Sequence, residues 1–285
     1  MISLWLMTGL VVCVSIAIFN TLQKSLVQDA SPIDVAYYTN VIAFIILLPI
    51  ALYTSQVSDI SLTVIGLVFA TGLFNAISFY FWPVALSKED LGVIAPTRGI
   101  TPITVAVLEP ILFLNLDYSF ELLLASLLAG FGLYIAFSEN GILTPIKRIQ
   151  SVGILFGLGS AIAITGAVLV DRFAVFSANV PPILYACGLA MSTSVLLGLF
   201  RVYKKEENSF VPTKKYIPVG IFRAIIVGFA VFTLSITTGT QYNILIQLSI
   251  PFSVLLGYLF LQERDFTIRQ LIGSGIIIVG IYLIL

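Results

Sequence analysis

Residues 95–110 read APTRGITPITVAVLEP, and the setting of that stretch decides the fold. The residues around it are oily enough for a lipid bilayer. The stretch itself holds Pro96, Pro102 and Pro110, Arg98, Glu109 and three threonines. Charge inside lipid is costly, and proline removes a helical hydrogen bond. A segment of this kind is tolerable in a membrane only where other helices or a cavity surround it.

Composition extends that reading to the whole chain. Of 285 residues, 59% are hydrophobic and 10% charged, and the mean hydropathy is +1.09. A soluble domain carries about 25% charged residues, so this chain cannot cover itself with polar surface and lipid is its expected solvent. Formal net charge is zero, which argues against a nucleic-acid partner. Cys13 and Cys187 lie in apolar runs and read as small packing residues. With two cysteines and no histidine, neither a disulfide framework nor a zinc-type cluster is expected, and no cofactor is implied. Without histidine, any proton coupling falls to Asp or Glu.

A helix needs roughly 20 apolar residues to cross a bilayer. Ten runs qualify, near 2–22, 33–53, 60–84, 93–114, 121–138, 151–171, 180–200, 216–238, 242–262 and 267–285. The first lacks a charged leader and a small-residue cleavage site, and reads as a retained helix. Short polar turns such as QDASP (28–32) and SKED (87–90) separate the runs, and only KKEENSFVPTKK (204–215) is a sizeable loop. The expected fold is an all-α integral membrane protein of ten transmembrane helices, with its chemistry between them.

The cations are unevenly distributed. Connections after odd-numbered spans, with their edges, hold eleven: Lys24, Lys88, Lys147, Arg148, Arg201, Lys204, Lys205, Lys214, Lys215, Arg264 and Arg269. Connections after even-numbered spans hold Arg172 alone, while Arg98 and Arg223 fall inside spans. By the positive-inside tendency the odd connections are cytoplasmic and both termini lie outside.

The chain also repeats itself. Pro32 aligns with Pro182 at a shift of 150, ITPIT (100–104) with SIPFS (249–253) at 149, and GLY (132–134) with GIY (280–282) at 148. A nearly constant shift indicates duplication. The halves are residues 1–140 and 141–285, each a five-helix repeat. Five is odd, so the second copy enters the membrane from the opposite side, and inverted repeats are a recurring transporter plan.

The opening stretch then has a role. Pro102 lies in span four and Pro251 at the matching place in span nine, so both halves weaken a helix inside the membrane. This is the sequence pointer to a central site, with the two prolines as hinges; the plainer alternative is a simple kink. Arg98 either faces a cavity, where its fork of donors holds a carboxylate or phosphate, or reaches for the interface. Glu109 is an intramembrane carboxylate: against Arg223 it is structural, and facing the cavity it is the candidate for proton coupling. Asn75, Ser78 and Trp82 follow i, i+3, i+7 spacing and give span three one polar, aromatic face. Asn20, Asn40, Tyr80, Thr165, Gln241, Asn243 and Gln247 are further polar residues in or beside spans. Tyr37 and Tyr38 suit an interfacial belt, although Tyr38, Tyr80 or Trp82 facing inward would cradle an amine. The expected cargo-binding set is Asn20, Tyr38, Asn75, Ser78, Trp82, Arg98, Thr101, Gln247 and Ser249. Small residues in GFG (130–132), GILFGLGSA (153–161) and GSG (273–275) suit close helix approach, not a phosphate loop, since no strand pattern precedes them.

Ten spans in two five-span repeats, prolines in spans four and nine, and the ending LGYLFLQERDFTIRQLIGSGIIIVGIYLIL (256–285) resemble the EamA branch of the drug/metabolite transporter superfamily. The first half fits less well, with Asn115-Leu116-Asp117 where Gly-Glu is usual after span four. The resemblance implies export of amino acids or other metabolites, often with protons, and for some relatives transport of choline or lipid-linked sugars. It also implies cytoplasmic termini, opposite to the charge count, so sidedness stays open. The expected function is a secondary transporter, an exporter of a small polar or amphipathic metabolite, in the plasma (inner) membrane. The alternative is a flippase for a lipid-linked head group. A membrane enzyme is not expected, because histidine, paired aspartates and a catalytic serine context are all missing from the sequence.

Overall fold

The fold is all-helical in a computed structural model. It describes residues 3–27, 29–56, 59–88, 91–113, 119–137, 151–204, 213–261 and 268–285. The 262–264 and 115–117 turns, and Lys147 and Arg148, lie outside the described residues.

The helices are α1 (Leu4–Val27), α2 (Pro32–Thr54), α3 (Leu62–Lys88), α4 (Leu91–Arg98), α5 (Ile100–Leu112), α6 (Phe120–Phe137), α7 (Val152–Arg172), α8 (Pro182–Lys204), α9 (Tyr216–Ile236), α10 (Gly239–Ile246), α11 (Ser249–Leu261) and α12 (Ile268–Tyr282). Counting α4 with α5 and α10 with α11, they correspond to the ten expected runs. Six are long and apolar enough to cross a membrane, and α6 and α12 are shorter apolar helices. The outer surface is aliphatic and aromatic: Ile45, Phe69, Leu155, Ile162, Val195 and Ile278 are all more than half exposed. Such a surface fits lipid tails, which require no polar cover.

Spans four and nine are each broken, but not as mid-helix prolines would break them. In span four the chain steps at Gly99, whose amide bonds back to Pro96 O (3.0 Å). In span nine the step falls at Gln247 and Leu248, whose amides bond to Ile244 O (3.3 Å) and Leu245 O (3.1 Å). Pro102 and Pro251 are each the third residue of the helix that follows. A first-turn amide has no helical partner, so proline costs little there. The expected hinge prolines are therefore initiators of new half-helices, and the discontinuity lies three or four residues ahead of them. Gly99 is needed at its step: a Cβ there would lie 3.0 Å from the carbonyl oxygen of Gly130 in α6.

Glycine-mediated packing recurs where the sequence placed it. A Cβ on Gly132 of α6 would meet Gly273 O of α12 at 2.6 Å, so these backbones touch. Gly157 of α7 lies against Thr97 of α4. α7 begins with Ser151 Oγ accepting from Ile154 N (3.3 Å) and ends in a π-helical turn, Phe173–Ser177. Asn179 then reverses the chain at φ 52°, a left-handed conformation that asparagine adopts more readily than most residues.

Candidate functional site

A cavity of about 210 Å³ lies among the helices. Its wall draws on α1, α3, α4, α5, α7, α8, α9, α10 and α11, and Ser249 and Ile250 of α11 line it just past the span-nine break. Of the residues expected from sequence, Asn20, Asn75, Ser78, Trp82, Arg98, Thr101, Gln247 and Ser249 line it.

Arg98 ends α4 at the span-four break, which sets its side chain on the wall. Its Nη2 donates to Ser160 Oγ (3.0 Å), and its guanidinium lies 4.3 Å from the Trp82 ring centroid. Ser78 and Ser160 share a hydrogen bond of 2.9 Å, tying the polar face of α3 to α7. Asn75 donates to Thr71 O (3.0 Å), and Asn20 donates to Ser253 Oγ (3.2 Å). Arg223 of α9 gives its Nε to Asn40 Oδ1 (3.1 Å), and its guanidinium lies 4.2 Å from the Phe79 ring centroid. Among the described residues, Thr101 Oγ1, Arg223 Nη2, Asn243 Oδ1 and Gln247 Oε1 are buried without a partner, and all four belong to residues that line the cavity. Buried polar groups are normally satisfied, so their concentration around one hollow sets this wall apart.

Three expected residues sit outside the wall. Tyr38 joins a cluster at one end of the bundle, its ring centroid 5.1 Å from those of both Tyr37 and Tyr216 and 5.3 Å from the Arg201 guanidinium. It is not among the residues that line the cavity. Pro102 and Pro251 also do not line it, although their neighbours Thr101 and Ile250 do.

Glu109 does not line the cavity either, and it does not pair with Arg223. Its Oε1 accepts from Gly239 N (2.6 Å) and its Oε2 from Thr240 N (2.8 Å) and Thr240 Oγ1 (2.7 Å). It thereby caps the buried N-terminus of α10, where a carboxylate meets free amides and the positive end of the helix dipole. Thr238 Oγ1 takes the next amide, Gln241 N (3.1 Å), in a capping box. Arg172, counted as the one cation of the even connections, is instead buried. Its Nη1 donates to Leu234 O (2.6 Å), its Nε stands 3.9 Å from Glu109 Oε1, and its guanidinium packs on Phe176 at 3.4 Å.

The two ends of the bundle are closed differently, and α9 runs from one to the other. Near its start Asp34 pairs with Arg201, Tyr80 accepts from Lys204, and Lys215 donates to Asp29 Oδ2 (2.8 Å). Near its end lies the Glu109, Arg172 and α10 arrangement.

Sequence reasoning missed Asp171, Gln23 and Tyr242, which line the cavity. A run bounded at 151–171 leaves Asp171 at its margin. The apolar run FAVFSA (173–178) was the available signal, because it prolongs the helix and draws Asp171 inside.

Residues 3–138 match the family of EamA-like transporters, and residues 175–285 match the CRT-like (chloroquine-resistance transporter-like) family. Both are transporter families of the drug/metabolite transporter superfamily, and the chain is a multi-pass membrane transporter of that type. One solved structure, described as a crystal structure of a protein, superposes with a TM-score of 0.79 at 14% identity, covering 98% of this chain and 96% of that one. At that identity the likeness concerns the fold. No curated protein matches the sequence.

Proposed function

We propose that the chain is a secondary active transporter, an exporter of a small polar or amphipathic metabolite such as an amino acid, in the plasma membrane, and not an enzyme. It works by alternating access between two inverted repeats, residues 1–140 and 141–285. The packing pattern supports the repeat. When each span is exchanged for the one five places on, α3 against α7 becomes α9 against α1, and α2 against α9 becomes α8 against α3; both members of each pair are in contact. α2 with α8 and α6 with α12 map onto themselves. The breaks at Gly99 and Gln247–Leu248 differ by 148 to 149 positions, the same shift that aligns the two halves.

The observation that carries the reading is the cavity, with its orphaned polar atoms contributed by both halves. A hollow of about 210 Å³ holds roughly seven waters' worth of liquid, which suits a metabolite better than a lipid-linked head group.

The test uses purified protein in sealed vesicles loaded with a cell metabolite extract. Selective loss of small metabolites, relative to protein-free vesicles, is expected in mass spectra. Vesicles that retain everything would contradict transport.

A further inference from the structure

We infer that Asp171 is the residue that selects cargo by its cationic group, with Arg223 receiving an anionic group of the same molecule. This rests on the transport reading above.

Asp171 is 8% exposed and lines the cavity near the end of α7. Its partners lie on one oxygen: Oδ1 accepts from Thr71 Oγ1 of α3 and from Tyr185 OH of α8 (2.9 Å). Oδ2 receives no hydrogen bond among the described residues. A carboxylate held this way is fixed in orientation by two neutral donors from two helices, and one oxygen is left for a guest. The cation facing it from α9 is Arg223, and the two form no ion pair within 4 Å. Tyr242 of α10 lines the same space. Arg172, the next residue, is turned away toward Leu234 O and Glu109.

The opposite charge is also prepared. Arg223 Nη2 is buried without a partner, while its Nε is fixed on Asn40. Asn243 Oδ1 and Gln247 Oε1 add unpaired acceptors on the same wall, and their amide nitrogens are committed to Gly239 O (2.8 Å) and Asn243 O (3.2 Å). Free acceptors and a free carboxylate oxygen suit an ammonium, which has donors only. A free guanidinium nitrogen suits a carboxylate. Ile164, Val168, Leu189, Val231 and Ile246 give the wall an apolar part, and Arg98 is a second cation on it. The cargo that satisfies all of these groups is a small zwitterion with an apolar remainder.

Vesicles containing the wild-type protein are loaded with the metabolite extract supplemented with three chemical series: amino acids, the amines left by removing their carboxyl group, and the acids left by removing their amino group. Amino acids are expected to leave fastest, the amines at least about tenfold slower and the acids slower by a similar factor, since each lacks one charged hydrogen-bonding group. In Asp171→Asn the preference for an amino group disappears: amino acids slow at least about tenfold, while the acids leave as they do from wild type. Export restricted to acids or uncharged compounds would overturn the assignment and leave transport standing, as would amino acid export unchanged in Asp171→Asn. If nothing leaves, the transport reading fails and this one with it. Should Asp171→Asn not fold, the order of the three series from the wild-type protein decides alone.

Discussion

Thr240 gives both its backbone amide and its hydroxyl to one oxygen of Glu109, at 2.8 and 2.7 Å. The two residues come from different halves of the chain, so this contact fastens the broken helix of one half to the broken helix of the other. The adjacent oxygen takes Gly239 N at 2.6 Å. Together the two carboxylate oxygens of Glu109 accept three hydrogen bonds from α10.

Glu109→Gln is therefore expected to act on stability first. The amide turns donors toward donors, and hydrogen bonds to charged groups are worth about 1.5–3 kcal/mol each, so a loss of about 3 kcal/mol is expected. Thermal unfolding in detergent measures it. Any dependence of transport on a pH gradient should be the same in the fraction that folds as in wild type. Its abolition would restore Glu109 as the coupling carboxylate.

The span-four break should depend on Gly99 more than on Pro102. Pro102→Ala and Pro251→Ala replace first-turn residues and should each change stability by less than about 1 kcal/mol. Gly99→Val drives carbons into the Gly130 backbone and should prevent a folded product, read as loss of a monodisperse peak in gel filtration.

Glycine substitutions elsewhere should divide by their surroundings. Gly66 and Gly275 have nothing within 4 Å of an added Cβ, so alanine there should be neutral or stabilise by up to about 1 kcal/mol. Gly132→Val forces α6 and α12 apart and should cost at least about 3 kcal/mol. Unfolding temperatures of the three variants provide the comparison.

Arg98 should matter for cargo and Trp82 should report it. With Trp5→Phe as background, Trp82 is the remaining tryptophan, and its emission should change when cargo displaces cavity water. Arg98→Ala removes the stacked guanidinium and should weaken binding of the exported metabolites about tenfold or more, visible as a shifted fluorescence titration.

Most of the architecture was legible in the sequence, because a membrane span announces itself by length and oiliness alone. The paired breaks were also legible, through Pro102 and Pro251, although the proline marks where a half-helix starts and not where the chain steps. Eight of the nine expected cargo residues line the cavity, because polar side chains in lipid-facing stretches have few other places to go. Tyr38 was misread because an aromatic near a helix start looks alike whether it faces a cavity or a neighbouring arginine. Neither reading of Glu109, against Arg223 or facing the cavity, matches its place, because two of its three donors are backbone amides of a helix 130 residues away, and backbone donors leave no trace in composition. Asp171 was hidden by the π-helical turn that extends α7 past a polar pair. With Arg172 buried, the even connections keep no free cation in the sequence, which sharpens the charge asymmetry. A cysteine at Lys214, probed on intact cells with an impermeant thiol reagent, should stay unlabelled if the odd connections are cytoplasmic, and labelling would reverse the orientation.

Alternating access about the central cavity is tested most directly by one accessible thiol. Asn243→Cys, with Cys13 and Cys187 replaced, is reacted with an impermeant reagent from each side of sealed vesicles. Labelling is expected from both sides. Cross-linking Asp34→Cys to Arg201→Cys should abolish labelling from that end and leave the other intact. A cavity thiol that reacts from neither side, or from one side whatever the cross-link, would contradict the account.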